Sequence, residues 1–153
     1  MSDTYQKIVV SGFLRKGNSV LVIKRSANER FFKEHYEIPG GKVDFGEDPS
    51  AALQREFMEE TGLKIKVKKP FQTFAYTSHD DVRHTVEIVY TVELESDDSI
   101  TLSESHTEYK WVTLEDIDNL VISEEMKESI RKGFAASTQR VCNCKGFVCR
   151  GCA

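Results

Sequence analysis

The sequence predicts an α/β (α+β) domain in which one mixed β-sheet carries helices on its faces. Apolar, β-branched runs alternate with two or three helical segments along the chain, and such interleaving is typical of a sheet covered by helices. The 153 residues match the size of one ordinary domain, which can bury a substantial core. We detect no internal repeat that would favour a solenoid.

The chain begins with a predicted hairpin. Ile8 to Leu14 and Ser19 to Lys24 are apolar and rich in β-branched residues, which favours two strands. Lys16-Gly17-Asn18 lies between them and has the composition of a hairpin turn.

A helix follows a glycine-containing loop. Gly40-Gly41 and Gly46 bracket this loop, which ends at Asp48-Pro49. Asp48 is a favourable N-cap, and proline suits the first helical position because its missing N–H would be unpaired there. We expect the helix to continue to about Thr61 and to end at Gly62.

The second half of the chain predicts more strands and a final helix. Ile65 to Tyr76 and the alternating segment Val82 to Leu94 are predicted strands, joined by a turn at His79-Asp80-Asp81. Glu108 to Val112 is a shorter predicted strand. Thr113 is expected to cap a brief helical turn, and Ser123 to cap a last helix that ends near Phe134.

Composition limits the classes of partner. The net charge of −4 argues against a long nucleic acid, since duplex-binding proteins usually carry a basic patch. No apolar run approaches the roughly 20 residues that span a membrane, and the polar segment Met1 to Lys7 lacks the core of a signal peptide. We therefore expect a cytoplasmic protein without membrane contact.

All four cysteines lie near the C-terminus, at Cys142, Cys144, Cys149 and Cys152. We therefore predict a domain over residues 1–136 and a cysteine-rich tail over residues 137–153. Two interpretations of the tail stay open. The four thiolates could bind zinc, although the spacer between the two pairs is short, or the tail could be reduced and metal-free.

The segment from Gly41 to Leu63 concentrates carboxylates. On a helix, Glu56, Glu59 and Glu60 fall within an arc of about 100°, where like charges repel by roughly 0.2–0.5 kcal/mol per pair. Arg55 precedes Glu59 by four residues and can hold it in place. A divalent cation such as Mg²⁺ would also offset the repulsion, since it prefers oxygen ligands. Glu47 supplies a fourth carboxylate, and a backbone carbonyl near Gly41 could complete the coordination.

The same segment resembles the signature of the Nudix hydrolase family, Gly-x5-Glu-x7-Arg-Glu-U-x-Glu-Glu-x-Gly-U, where U is a bulky apolar residue. Tyr36 to Lys42 and Glu108 to Val112 also resemble the MutT-like branch, so the likeness covers most of residues 5–135. Phe57 departs from the pattern, since the family more often has an aliphatic residue there. All seven fixed positions are present, as Gly41, Glu47, Arg55, Glu56, Glu59, Glu60 and Gly62.

The resemblance implies an α/β/α sandwich and attack by water on a phosphorus of a nucleoside diphosphate linked to another group. It implies a Mg²⁺ or Mn²⁺ cofactor held by Glu56 and Glu60, with Glu59 in the same cluster. Glu47 would act as an outer or second-metal ligand, and Arg55 would orient Glu59. A hard oxygen donor set suits these cations better than zinc.

The general base and the substrate contacts are less constrained. A carboxylate of the signature, Glu108, or Glu104 could accept the proton from water. Further along the chain, Tyr36, Phe74 and Tyr76 could stack on a nucleobase or belong to the core. Arg25 could contact a phosphate or remain a surface charge.

Three functions are compatible with these residues. The first is a MutT-like hydrolase that converts a nucleoside triphosphate, including oxidised forms, to monophosphate and pyrophosphate. The second acts on ADP-ribose, a nucleotide sugar or a dinucleoside polyphosphate. The third is an inactive nucleotide-binding sensor, which the intact carboxylates disfavour. A homodimer stays open in all three.

Overall fold

The computed structural model describes residues 3–96 and 99–137. It contains seven strands, two α-helices and one 3-10 turn in the described part of the chain. In chain order they are β1 (Tyr5–Lys16), β2 (Ser19–Arg25), β3 (Tyr36–Glu37), β4 (Gly40–Lys42), α1 (Pro49–Thr61), β5 (Ile65–Thr77), β6 (Arg83–Leu94), β7 (His106–Thr113), the 3-10 turn (Ile117–Asn119) and α2 (Glu124–Ala136).

Helix α1 begins and ends where its caps require. The Asp48 side chain accepts hydrogen bonds from the backbone N–H groups of Ser50 and Ala51, at 2.9 and 3.2 Å. These bonds satisfy donors that have no partner inside the helix. Gly62 then adopts a left-handed φ of 73°, which a residue without a side chain reaches at little cost. The predicted bounds of this helix are confirmed.

The sheet is mixed, as predicted, and β1 lies at its centre. β1 runs parallel to β6 over ten residue pairs, and β6 pairs with β5 in the antiparallel sense. β2 joins β1 through the hairpin turn and pairs with β7 on its other side. Strands β3 and β4 do not follow from the sequence pattern, because each is only two or three residues long and depends on a distant partner.

Apolar side chains fill both faces of this sheet, so the α/β/α sandwich is confirmed. On one face, Leu53 and Phe57 of α1 pack with Val10 and Val92. On the other face, Ile130 and Phe134 of α2 pack with residues that include Phe13 and Val89. Successive residues of β1 therefore face different helices, which fixes the strand's register.

Helix α2 is capped by Ser123, as expected. Ser123 accepts a hydrogen bond from the backbone N–H of Met126 at 3.3 Å, and the helix ends at Ala136. Thr113 does not cap the 3-10 turn; it donates to Asp116 instead, at 2.8 Å. The cysteine tail and its zinc hypothesis lie outside the described residues. No helix over residues 3–96 and 99–137 is long and apolar enough to cross a membrane.

Candidate active site

Two shielded carboxylates on α1 form the centre of the candidate site. Glu56 and Glu60 lie one helical turn apart, and their side chains are only 15% and 14% exposed. Burial raises the pKa of Glu56, and it raises that of Glu60 well above its usual range, with the nearby Glu37 charge adding to the effect. One Glu60 oxygen accepts a hydrogen bond from the backbone N–H of Gly40 at 3.0 Å. The pair therefore concentrates negative charge that the protein compensates only in part.

The Gly40-Gly41 pair brings the backbone against these carboxylates. A side chain at Gly41 would overlap the Glu56 carboxylate, and one at Gly40 would overlap the backbone of Val10. Strand β4 pairs with β1 in this region, with Gly41 opposite Val10. The Gly40 position therefore requires glycine, because backbone atoms cannot move aside, whereas a side chain at Gly41 would displace the Glu56 carboxylate.

Arg55 organises the loop before α1. Its Nε and Nη2 bind the two carboxylate oxygens of Glu47 at 2.8 and 2.9 Å, and Nη2 also donates to the carbonyl of Lys42 at 3.0 Å. Nη1 binds Glu56 at 2.8 Å, whereas its distance to Glu59 is 3.4 Å. Glu59 is 57% exposed. The main partner of Arg55 is thus Glu47, a contact that helical spacing alone does not indicate.

The donor set suits a hard divalent cation. Glu56, Glu60 and the backbone at Gly41 offer oxygen atoms in a confined space, and Arg55 compensates the charge of the two carboxylates only in part. No three His, Cys, Asp or Glu side chains of the described part converge on a complete metal shell. Mg²⁺ does not require one, since it commonly keeps water and substrate phosphate as ligands. Both Glu47 oxygens accept hydrogen bonds from Arg55, so a metal could bind Glu47 only through the lone pairs that these bonds leave free.

An aromatic cleft of about 300 Å³ opens on the α2 side of the sheet. Phe74 and Tyr76 lie with their rings nearly parallel, 6.2 Å apart, and Phe32 meets Tyr76 edge-on. The three residues expected to stack on a base all line this cleft. Its lining comprises Phe32, His35, Tyr36, Glu37, Phe74, Tyr76, Thr77, His79, Glu87, Ser123, Glu125 and Met126.

A smaller basic pocket of about 120 Å³ adjoins the cleft. Arg25 lines it, with its guanidinium fixed by Glu29 and Glu37, each at 3.0 Å. Gly40 and Gly41 form part of its wall, which places it beside the carboxylates of α1. The pocket is lined by Lys7, Val9, Ser11, Arg25, Phe31, Phe32, Glu37, Ile38, Gly40, Gly41, Lys42, Tyr76, Arg83, Thr85 and Glu87.

Three polar residues near the site are absent from the sequence-based prediction. Glu87 lines both cavities and is 5% exposed; burial raises its pKa to about 7, although Ser11 donates a hydrogen bond to it. Glu37 also lines both cavities and lies 3.3 Å from Nε2 of the buried His106. The same His106 nitrogen is 3.9 Å from Glu60. Only the fold brings these residues together, because they lie on three separate strands.

The alternative base candidates lie in different surroundings. Glu108 accepts a hydrogen bond from the Tyr36 hydroxyl at 2.8 Å and lies 3.2 Å from Lys110. These contacts lower the pKa of Glu108, and the residue lines neither cavity. Glu104 is exposed in the loop before β7. Neither carboxylate makes a direct contact with Glu56 or Glu60 in the described part of the chain.

Known proteins share both sequence and fold with this chain. Over 87 residues it is 37% identical to an ADP-ribose pyrophosphatase of Methanocaldococcus jannaschii, which covers 57% of this chain and 50% of that protein. Over 72 residues it is 32% identical to an 8-oxo-dGTP diphosphatase of Escherichia coli, covering 47% and 56%. The chain thus spans about half the length of these two relatives.

A solved structure agrees over nearly the whole described domain. The MutT protein from Methanosarcina mazei superimposes with a TM-score of 0.77 at 24% identity, covering 89% of this chain and 98% of that one. The pattern of the NUDIX domain family matches residues 6–133, which include every element from β2 to β7 and both carboxylates of α1. The chain therefore belongs to the NUDIX domain family.

Proposed function

We propose that this protein hydrolyses a nucleoside triphosphate, including oxidised forms, to a monophosphate and pyrophosphate with Mg²⁺ or Mn²⁺. One observation carries the proposal. The shielded pair Glu56 and Glu60 lies against the glycines of β4, which also border the basic pocket, and this pocket shares lining residues with the aromatic cleft. Sites for a base, a phosphate and a cation are thus contiguous. The 8-oxo-dGTP diphosphatase relative supports the same substrate class.

The aromatic cleft would hold the nucleobase. Phe74 and Tyr76 present ring faces, and base–aromatic stacking contributes about 1–3 kcal/mol per base. Arg25 would bind a phosphate oxygen at the adjoining pocket, because its guanidinium is already oriented by two carboxylates. Binding of base and phosphate together would fix the scissile linkage beside α1, which reduces the entropy lost at the reactive step.

Glu56, Glu60 and the Gly41 carbonyl would hold the cation. Such a cation would neutralise phosphate charge and make the attacking water more acidic. A carboxylate of the signature is the favoured proton acceptor. Glu108 is disfavoured because its two oxygens are held by Tyr36 and Lys110 and its pKa is lowered. Arg55 would position Glu56 through its 2.8 Å contact.

ADP-ribose is the second candidate substrate. The relative from Methanocaldococcus jannaschii with 37% identity carries an ADP-ribose pyrophosphatase name, and ADP-ribose offers the same base and pyrophosphate groups. The proximal part of either molecule would occupy the same cleft and pocket. ATP and ADP-ribose differ only in the group beyond the second phosphate, so kinetics with this pair separates the two substrate classes.

A substrate panel tests the proposal. Nucleoside triphosphates, 8-oxo-dGTP and ADP-ribose are incubated with Mg²⁺ or Mn²⁺, and products are separated by ion-exchange chromatography. We expect the highest kcat/KM for a triphosphate, with pyrophosphate as a product. Cleavage of ADP-ribose without cleavage of any triphosphate would overturn the triphosphate proposal and support the second candidate. The Glu60→Gln variant serves as the control for contaminating phosphatases.

A further inference from the structure

Lys7 and Arg83 lie on the same face of the sheet as the substrate cleft. In the parallel pairing of β1 with β6, Lys7 is opposite Thr85 and Tyr5 is opposite Arg83. Directly opposite residues share a face, and side chains alternate along each strand. Lys7 and Arg83 therefore project on the side that carries Glu87, and both line the basic pocket.

The basic pocket contains more positive charge than its own carboxylates balance. Lys7, Lys42 and Arg83 form no salt bridge within residues 3–96 and 99–137, whereas Arg25 already has two partners. Glu37 is engaged by Arg25, and Glu87 accepts a hydrogen bond from Ser11. Within the described residues, three cations without a carboxylate partner thus line one small cavity.

Arg83 stacks on an aromatic ring while one of its buried donors stays unpaired. Its guanidinium carbon lies 4.1 Å from the centre of the Phe31 ring, close enough for a cation–π interaction. Its Nε is buried and has no hydrogen-bond partner in the described structure. An unpaired buried donor costs about as much as a lost hydrogen bond, so this orientation favours an acceptor in the pocket.

Lys7 is likewise held in an unfavourable environment for its charge. Burial lowers its pKa, and the neighbouring charges of Arg83, Lys42 and Arg25 lower it further. An anion in the pocket would offset the burial of the Lys7 ammonium and its repulsion by neighbouring cations, because it supplies hydrogen-bond acceptors and opposite charge. A phosphate group matches best, since its oxygens can accept from the Arg83 fork and from an ammonium group together.

The pocket's position defines which phosphate it would receive. It shares Glu37, Tyr76 and Glu87 with the aromatic cleft. Its wall also includes Gly40 and Gly41 of β4, which lie beside the α1 carboxylates. Resting on the function proposed above, we propose that Lys7 and Arg83 bind the phosphate group nearest the nucleoside. They are substrate-binding residues additional to Arg25, and they select for a phosphorylated nucleoside.

Direct binding tests this assignment without requiring turnover. Deoxyguanosine monophosphate and inorganic pyrophosphate are titrated by calorimetry, in EDTA, into the wild type and the Lys7→Met and Arg83→Gln variants. The matched controls are Lys68→Met and Arg131→Gln, which remove exposed cations paired with Glu93 and Asp118 elsewhere. We expect each pocket variant to bind the monophosphate about tenfold more weakly or worse, with the controls within about twofold of wild type.

Thermal unfolding of the free protein separates binding from structure. Lys7→Met should be at least as stable as wild type, because it removes a buried charge from a repulsive cluster. Equal monophosphate affinity in all five proteins would overturn the proposal. Weaker binding of pyrophosphate alone would also overturn it, since the pocket would then hold the outer phosphates. Because no hydrolysis is measured, failure of the proposed reaction would leave this result intact.

Discussion

Arg55 donates two hydrogen bonds to the Glu47 carboxylate, from Nε to Oε1 at 2.8 Å and from Nη2 to Oε2 at 2.9 Å. The pair links the loop before α1 to the helix itself, and Arg55 simultaneously contacts Glu56. Arginine alone has the planar fork needed for such bidentate contact. Glu47 thus orients the Arg55 guanidinium, which in turn positions the Glu56 carboxylate.

Arg55→Lys should therefore impair catalysis more than folding. A lysine ammonium cannot bind both Glu47 oxygens and still reach Glu56, so we expect kcat to fall by about tenfold or more. Activity assays with saturating Mg²⁺ and thermal unfolding measure the two effects. Glu47→Gln is the matched variant, since it keeps the shape of the partner but removes its charge. Wild-type kcat in Arg55→Lys would contradict a positioning role.

The ion pair between Arg55 and Glu47 should stay formed in mild acid. The Arg55 hydrogen bonds lower the pKa of Glu47 to about 2, so its contribution to stability is present above the usual pKa near 4.5 and is lost as pH falls toward 2. A loss of activity between pH 7 and 5 would consequently have another origin.

Glu60→Gln should abolish turnover while preserving the fold. The substitution keeps volume but removes a proposed metal ligand, and we expect a loss of several orders of magnitude in kcat. Stability should hold or rise, because burial and the Glu37 charge already oppose the ionised form of Glu60. The exposed Glu59 gives a comparison, and Glu59→Gln should lose less activity than Glu60→Gln. Retention of a tenth of wild-type activity in Glu60→Gln would count against Glu60 as a ligand.

Glu87 should make stability depend on pH. Its pKa of about 7 in the folded protein exceeds the unfolded value near 4.5, so the folded state binds more protons between these limits. Stability should therefore fall as pH rises from 5 to 8. Glu87→Gln removes this penalty, and at pH 8 we expect it to be more stable than wild type by up to about 3 kcal/mol.

Chemical denaturation of both proteins at pH 5 and pH 8 measures this difference. Glu93→Gln is the control, because Glu93 lies on the same strand with its side chain 59% exposed. The two proteins should converge at pH 5. A Glu87→Gln variant with the same pH dependence as wild type would show that Glu87 stays ionised in the fold.

Isotopic labelling locates the bond that breaks. If the base occupies the aromatic cleft and the inner phosphate occupies the basic pocket, the α1 carboxylates lie beside the inner phosphates. Hydrolysis of a nucleoside triphosphate in oxygen-18 water should then place the label in one product only, which mass spectrometry identifies. Label in the monophosphate means attack at the innermost phosphorus, and label in pyrophosphate means attack at the next one. Release of inorganic phosphate alone would contradict pyrophosphate as a product.

The capping residues of α1 made this helix predictable from the sequence, whereas the rest of the site depends on tertiary contacts. Asp48, Pro49 and Gly62 specify the bounds of the helix within its own sequence. The expected contact of Arg55 with Glu59, four residues on, is present at 3.4 Å, but its shorter contact is with Glu47 of the preceding loop, at 2.8 Å. Helical spacing could not reveal this, since Glu47 precedes the helix.

Glu87 and His106 escaped prediction for a different reason. Glu87 occupies the polar phase of the alternating strand β6, which a pattern rule assigns to solvent. On that face, Thr85 and Glu87 are nevertheless buried, because they lie in the middle of the sheet beneath neighbouring elements. His106 lies at the start of β7 and is buried by pairing with β2 next to Arg25. The short strand β4 was also missed, because it forms only by pairing with β1, which is distant in the sequence.

The two helices lie on opposite faces of the sheet, with the paired carboxylates on α1 and the first turn of α2 at the aromatic cleft. A small shift of α2 would widen or narrow the cleft, because Ser123, Glu125 and Met126 form part of its wall. The same shift would leave the contacts between α1 and β4 unchanged. If the proposed function holds, substrate range can therefore change in evolution, or be engineered, by altering α2 while the carboxylate pair on α1 stays intact.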